Sequence, residues 1–267
     1  MDQAVALTRT QRNQEVASLT AFIAAAIDNA RAVEKPFYHL EFENIFPSDL
    51  YARIVALMPD ANDYRPMHGR TKSARRTDGT PTRVKIDLFP EYIRHLPPHK
   101  KALWDIVGRA LCSREVKQAF VRRLAPALEK RFGKNYDRTG MFPIPILTRD
   151  IPGYKIGIHT DTHWKGITVQ LYLPADESNL NIGTIFHEQL ADRSRPKHTQ
   201  MRFAPNSGYA FAVGKDTWHS ADPVGPEVKT RDSILLTYFV DSGPLRVLRN
   251  RGKRIGNFII NEFRNRV

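Results

Sequence analysis

Three side chains suited to one divalent metal stand at two points of the chain, His159-Thr-Asp161 and His219. In an extended strand, residues i and i+2 project from one face. His159 and Asp161 therefore present an imidazole and a carboxylate to the same side. His219, in Asp216-Thr-Trp-His-Ser-Ala-Asp-Pro223, is the candidate third donor. Two histidines and one carboxylate on one face suit a non-haem Fe(II), leaving positions open for a cosubstrate and O₂. Twelve residues after His219, Arg231 heads Arg231-Asp-Ser-Ile-Leu-Leu-Thr-Tyr-Phe-Val240, a strand pattern. Its guanidinium is a planar fork that matches a carboxylate, and Ser233 shares its strand face.

With nine histidines in the chain, a chance pair is expected, and His39-Leu-Glu41 is one. His99 and Arg109 follow it at imitating distances. His99, however, follows Pro97-Pro98 at a helix start, and Arg109 lies inside a helical pattern, so His39 reads as structural. Gly153 and Gly157 precede the first pair around its strand, where a metal and cosubstrate must approach the backbone closely. His163 is near enough to Asp161 to line a pocket mouth; His187 ends a strand pattern, and His198 carries little signal.

These residues must be positioned by short strands. After residue 140 the chain turns to apolar runs separated by Gly, Pro and Asp, with strands expected near 141–149, 154–161, 167–173, 182–187, 200–204, 208–213, 216–220 and 231–240. Eight such strands suggest a jelly roll, two antiparallel sheets closing over a pocket. The class is α+β, mainly β: a double-stranded β-helix core with N-terminal helices packed on one sheet. Upstream, 11–33 reads as a helix closed by Pro36, 37–46 as a strand, and Ser48 as the cap of a short helix. Residues 61–82 read as a long basic loop, 83–89 as a strand, and 97–111 and 113–132 as helices, the second kinked at Pro126 and ended by Gly133.

The 267 residues suit a single domain: a helical region over 1–139, the roll over 140–242, and a basic tail over 243–267. No apolar run approaches the ~18 residues of a membrane span. A lone cysteine, Cys112, and an N-terminus without a secretory pattern point to a cytoplasmic setting. The net charge of +13 gathers in the tail and in Arg70, Lys72, Arg75 and Arg76. It fits a solvated surface, nucleic acid or an acidic partner. No aromatic platform is interleaved with basic residues, which disfavours nucleic acid.

His-x-Asp, a distant His, and an Arg with Ser two residues on together resemble the Fe(II)/2-oxoglutarate-dependent oxygenases. Lys165-Gly-Ile-Thr-Val-Gln-Leu-Tyr-Leu-Pro174, Gly183-Thr184 and Gly208-Tyr-Ala-Phe-Ala-Val213 are similar to the prolyl-hydroxylase-like members. The resemblance covers roughly residues 140 to 242. It implies that His159, Asp161 and His219 hold Fe(II), and that Arg231, Ser233 and Tyr172 hold the distal carboxylate of 2-oxoglutarate. It also implies a reaction in which O₂ and 2-oxoglutarate give succinate and CO₂ while a substrate C–H is hydroxylated. Asp161 favours hydroxylation over halogenation, since halogenating members carry a small residue there. The chain departs from the family at Asp150, where a tyrosine is frequent; neighbouring Arg149 is a further candidate for the site. The leading expectation for the substrate is a small molecule such as an amino acid or anionic metabolite. A protein or peptide side chain is the alternative, and a non-catalytic jelly-roll binding module the reading from another class. The basic loop is expected to bring a cation to an acidic group of the substrate.

Overall fold

The computed structural model of the chain describes residues 8–67 and 78–241. Arg70, Lys72, Arg75 and Arg76 of the basic loop, and the basic tail, lie outside the described residues. Before the roll come α1 (Arg9–Asp28), β1 (Arg31–Val33), β2 (His39–Phe42), α2 (Ser48–Ala56), β3 (Arg65–Pro66), β4 (Arg83–Asp87), α3 (Pro98–Leu111), α4 (Arg114–Arg123) and α5 (Ala125–Phe132). The roll itself is β5 (Met141–Asp150), β6 (Ile156–His159), β7 (Lys165–Tyr172), β8 (Ile185–His187), β9 (Lys197–Gln200), β10 (Gly208–Ala212), β11 (His219–Ala221) and β12 (Arg231–Val240).

All strand pairs are antiparallel. The large sheet runs β1-β2-β10-β7-β12-β5-β4-β3 and the small one β6-β11-β8-β9. From β5 to β12 the chain passes large, small, large, small, small, large, small, large, which is the connectivity of a jelly roll. The period-two pattern of the central strands explains the layering. Ile167, Val169 and Leu171 of β7, with Ile234, Leu236 and Tyr238 of β12, join Leu19, Ile23, Trp104 and Phe120 of the helices in one core. Burying each such side chain contributes about 1.5–3 kcal/mol. The opposite face of the same strands carries Tyr172, which with Tyr209 and Phe211 of β10 packs against Phe186 of the small sheet. The helices thus cover one face of the large sheet and the small sheet covers the other.

Several elements differ from the sequence expectation. α1 starts under a capping box of Thr8 and Gln11 and ends at Asp28, so 31–33 are strand, paired with β2, and Pro36 closes nothing. Ser48 opens α2 rather than capping it. The helix expected over 113–132 is two helices, with Pro126 in the first turn of α5, where its missing N–H costs nothing. β9 starts three residues before the start of its expected span and β11 three residues after the start of its own. β6 ends at His159, so Asp161 lies in the connection to β7, not in the pleat. Gly153 is needed for its φ of +95°, and a Cβ on Gly157 would meet no protein atom within 4 Å.

Candidate metal and cosubstrate site

β6 and β11 lie side by side with His159 and His219 as register partners, which sets the two rings 4.3 Å apart between centroids. Each ring is fixed by the same backbone device. Nδ1 of His159 donates to the Gly157 carbonyl at 2.9 Å, and Nδ1 of His219 to the Thr217 carbonyl at 3.0 Å. A carbonyl only accepts, so the proton sits on Nδ1 and the Nε2 lone pair of each ring is left for a metal.

Asp161 is tied down by β7, which follows it. Lys165 Nζ donates to its Oδ1 at 2.5 Å and Thr168 Oγ1 to its Oδ2 at 2.6 Å. Burial pushes the Asp161 carboxyl up, but the Lys165 ammonium, His219 and the two hydrogen bonds outweigh it and hold it at about 2. His219 moves the other way for an imidazole. Burial, against the pull of Asp161, brings it down to about 4. At neutral pH the pair is a carboxylate beside a neutral imidazole, the protonation states that ligation requires. Donor atoms of His159, Asp161 and His219 all lie within 4.8 Å of one another. Two imidazole nitrogens and one carboxylate oxygen fit Fe(II) with open positions.

The pocket runs from this donor set along the inner face of the large sheet, and Arg83, Tyr154, Gln170, Tyr172, Thr184, Tyr209 and Arg231 line it. Arg231 is buried at the head of β12. Its Nη2 and Nε donate to Asp150 Oδ2 at 2.9 and 3.1 Å, and its Nη1 to the Ile182 carbonyl at 2.6 Å. Tyr172 sits against Thr184: its hydroxyl lies 3.1 Å from Thr184 Oγ1 and accepts from the Thr184 N–H at 2.9 Å. Tyr209 donates to the same Oγ1 at 2.9 Å. Gly183 lets this turn close, since a Cβ there would stand 1.9 Å from the Met201 carbonyl oxygen. Ser233 is set deeper. Gln170 Nε2 donates to its hydroxyl at 2.6 Å and Thr148 Oγ1 lies 2.9 Å away.

Other candidates fall elsewhere. Arg149 points to the helix side of the sheet, bonded to Asp232 at 2.7 Å and stacked over Tyr64. His163 is exposed beside Trp164 and does not line the pocket. His187 ends β8, with Nε2 2.7 Å from Ser220 Oγ, and His198 pairs with Glu188 at the surface. Arg83, Lys165, Thr184 and Tyr209 are pocket residues that sequence reasoning did not single out. Arg83 showed only as the first residue of the strand expected over 83–89.

The strand order and the donor set together define a jelly-roll protein with a two-histidine, one-carboxylate metal-site candidate. No family model matches the chain, and no curated protein does. Among solved structures it is similar to a Pseudomonas putida prolyl-4-hydroxylase at 16% identity and a TM-score of 0.49, over 82% of this chain and 100% of that one. It is also similar to an oxidoreductase of the 2OG-Fe(II) oxygenase family from Burkholderia pseudomallei, at 15% identity and 0.43, over 82% and 89%. A prolyl hydroxylase from Trichoplax adhaerens, solved with a hypoxia-inducible-factor peptide fragment, matches at 10% and 0.45, over 87% and 94%. Likenesses of this size carry no functional weight; the chain's own side chains must carry it.

Proposed function

We propose that the chain is an Fe(II)- and 2-oxoglutarate-dependent dioxygenase. It hydroxylates a C–H bond of a small molecule, such as an amino acid or anionic metabolite, and releases succinate and CO₂. One observation supports this above the others: the donor set His159, Asp161 and His219 and the buried guanidinium of Arg231 line one pocket. In this reading His159 and His219 ligate through Nε2 and Asp161 through a carboxylate oxygen. Fe(II), when bound there, supplies the centre at which O₂ oxidises the keto acid and the substrate. Lys165 and Thr168 hold Asp161 in place, and Arg231 receives the distal carboxylate of 2-oxoglutarate. Lys165 is paired with Asp161, and Arg83 and Arg231 share Asp150, so the charge these cations leave over at the pocket wall is the one that meets the cosubstrate carboxylate. Tyr154 and Met67 give the pocket apolar surface.

The test needs no substrate. Purified protein supplied with Fe(II), O₂ and 2-oxoglutarate forms succinate slowly, and His219→Ala forms none above background. Equal succinate in the two proteins would sink the proposal. Metabolite pools that stimulate succinate formation then identify the substrate class.

A further inference from the structure

Arg83, Asp150 and Arg231 stand abreast on three neighbouring strands, since Asp150 of β5 is the register partner of both Arg83 in β4 and Arg231 in β12. All three are withdrawn from water. Asp150 is 1% exposed in its side chain, Arg231 7% and Arg83 15%. Two cations therefore share one anion at the wall of the pocket, and among the described residues one positive charge is left unmatched. Charge buried without a partner is costly, so such a cluster is built for an anion.

The sharing is unequal. Arg83 takes both carboxylate oxygens, Nε to Oδ1 at 2.5 Å and Nη2 to Oδ2 at 2.7 Å. Arg231 reaches Oδ2 alone, at 2.9 and 3.1 Å. The ring of Tyr154 lies under both guanidinium groups, 4.0 Å from Arg83 and 5.3 Å from Arg231, and fixes their planes. Burial alone would raise the Asp150 carboxyl, but Arg83 and Arg231 hold it below the ordinary range, so it stays an anion. If Arg83 were absent, Asp150 would pair with Arg231 alone, and the two would form a neutral couple with nothing to offer a second carboxylate.

We infer that Arg83 is a positioning residue for the cosubstrate: by satisfying Asp150 it leaves the charge of Arg231 free to hold the carboxylate of 2-oxoglutarate. This rests on the assignment of Arg231 proposed above.

The experiment is calorimetric titration of 2-oxoglutarate into the full chain loaded with redox-inert Mn(II), with thermal melting to confirm folding. Arg231→Met should lose most of the affinity. Arg83→Met should weaken binding about tenfold or more, the scale of one charge-assisted contact. Arg83→Met with Asp150→Asn restores the single unmatched charge and should regain most of that loss, which a packing defect would not. Arg83→Lys keeps the charge without the fork and should bind close to wild type; it serves also if Arg83→Met does not fold. Wild-type affinity in Arg83→Met, beside a weak Arg231→Met, would overturn this inference alone. A double variant as weak as Arg83→Met, or Arg83→Lys as weak as Arg231→Met, would overturn it too. Wild-type affinity in Arg231→Met would instead overturn the cosubstrate assignment, and this inference with it.

Discussion

Two stretches of the chain carry a histidine followed two residues later by a carboxylate, and the two histidine rings are held in nearly the same way. His39 Nδ1 lies 2.8 Å from the Phe37 carbonyl oxygen, as His159 Nδ1 lies 2.9 Å from that of Gly157. Both sit on strands. Their neighbours differ. His39 on β2 faces Phe211 of β10 in register and packs against Phe186 at 4.9 Å, with Nε2 3.3 Å from Glu41. His159 on β6 faces His219, and the chain then turns Asp161 back to the pair. Phe186 and Phe211 form an aromatic wall between the two places, for Phe211 also lies 5.3 Å from His219. A His-x-acid motif is thus a local shape. The strand paired beside it decides whether that shape becomes a metal site or a buried packing unit.

The largest effect should come from breaking this contrast at its centre. His159→Ala or His219→Ala removes a donor of the proposed metal site and should cost more metal affinity than the roughly 10–100-fold that loss of an outer partner costs. Succinate formation should vanish with it. His39→Gln should leave both unchanged and lower stability by about 1–3 kcal/mol, through the buried hydrogen bond it disturbs. Equilibrium metal binding and thermal melting on the three variants decide the matter. Metal loss in His39→Gln would mean that the aromatic wall, not the paired strand, defines the site.

The same contrast shows what could be read before the fold was known. β12 matches its expected span, because both its faces are buried and Ile234–Val240 reads as a nearly continuous apolar run broken only by Thr237. His159 and Asp161 were readable as candidate donors from residue type and a spacing of two, whereas His219 comes beside them only through the β6–β11 pairing. β6 and β11 were displaced because strands of three or four residues hold too few apolar positions to set a register. Arg83 and Asp150 were unreadable as a unit, since 67 residues separate them and only the β4–β5 pairing brings them together. Pro126 was recognised as a disturbance, but whether it bends a helix or starts a new one depends on what Leu124 packs against, and Leu124 is fully buried.

Acidity separates His219 and Asp161, two of the three candidate donors, from each other. His219 has a folded value of about 4 against an ordinary 6.5. Between those limits the unfolded chain binds the proton and the folded chain does not. Stability of the metal-free protein therefore falls as pH drops from 6.5 towards 4, by up to about 3 kcal/mol from this group. Asp161 acts lower. Its folded value of about 2 against 3.8 makes its contribution present above pH 3.8 and lost below. Denaturant melts of the metal-free protein from pH 7 to pH 4 should show the first loss, and His219→Gln should flatten it. An unchanged slope in His219→Gln would assign the acid sensitivity elsewhere.

A smaller effect is expected from Thr168, whose hydroxyl aims one oxygen of Asp161. Thr168→Val keeps shape and charge and removes only that aim. Metal affinity should fall roughly 10-fold, at the low end for an outer partner. Glu41, the acid of the other pair, has His39 and Arg31 as partners instead. Removing Arg31 should leave metal binding alone, and a metal titration of Thr168→Val beside Arg31→Ala tests whether the two acids differ in role as their surroundings differ.

The smallest change is asked of Tyr172, and it bears on how the cosubstrate carboxylate is held. Its hydroxyl already accepts from the Thr184 N–H at 2.9 Å and lies 3.1 Å from Thr184 Oγ1, while Tyr209 donates to that same Oγ1. Burial pushes the phenol of Tyr172 up, so it stays neutral and keeps a proton to donate. That one proton can serve Thr184 or a carboxylate, not both. If it turns to 2-oxoglutarate, Tyr172→Phe removes a bond to a charged group, worth about 1.5–3 kcal/mol. If it stays on Thr184, the variant removes a neutral brace and leaves the Thr184 N–H unpaired, which lowers stability by about 1–3 kcal/mol and barely alters binding. The crowded hydroxyl cluster favours the second outcome. Tyr172→Phe should lower the melting temperature while 2-oxoglutarate affinity stays within about threefold of wild type, a shift below 1 kcal/mol. A loss of tenfold or more with an unchanged melt would reverse the order and place the phenol on the carboxylate.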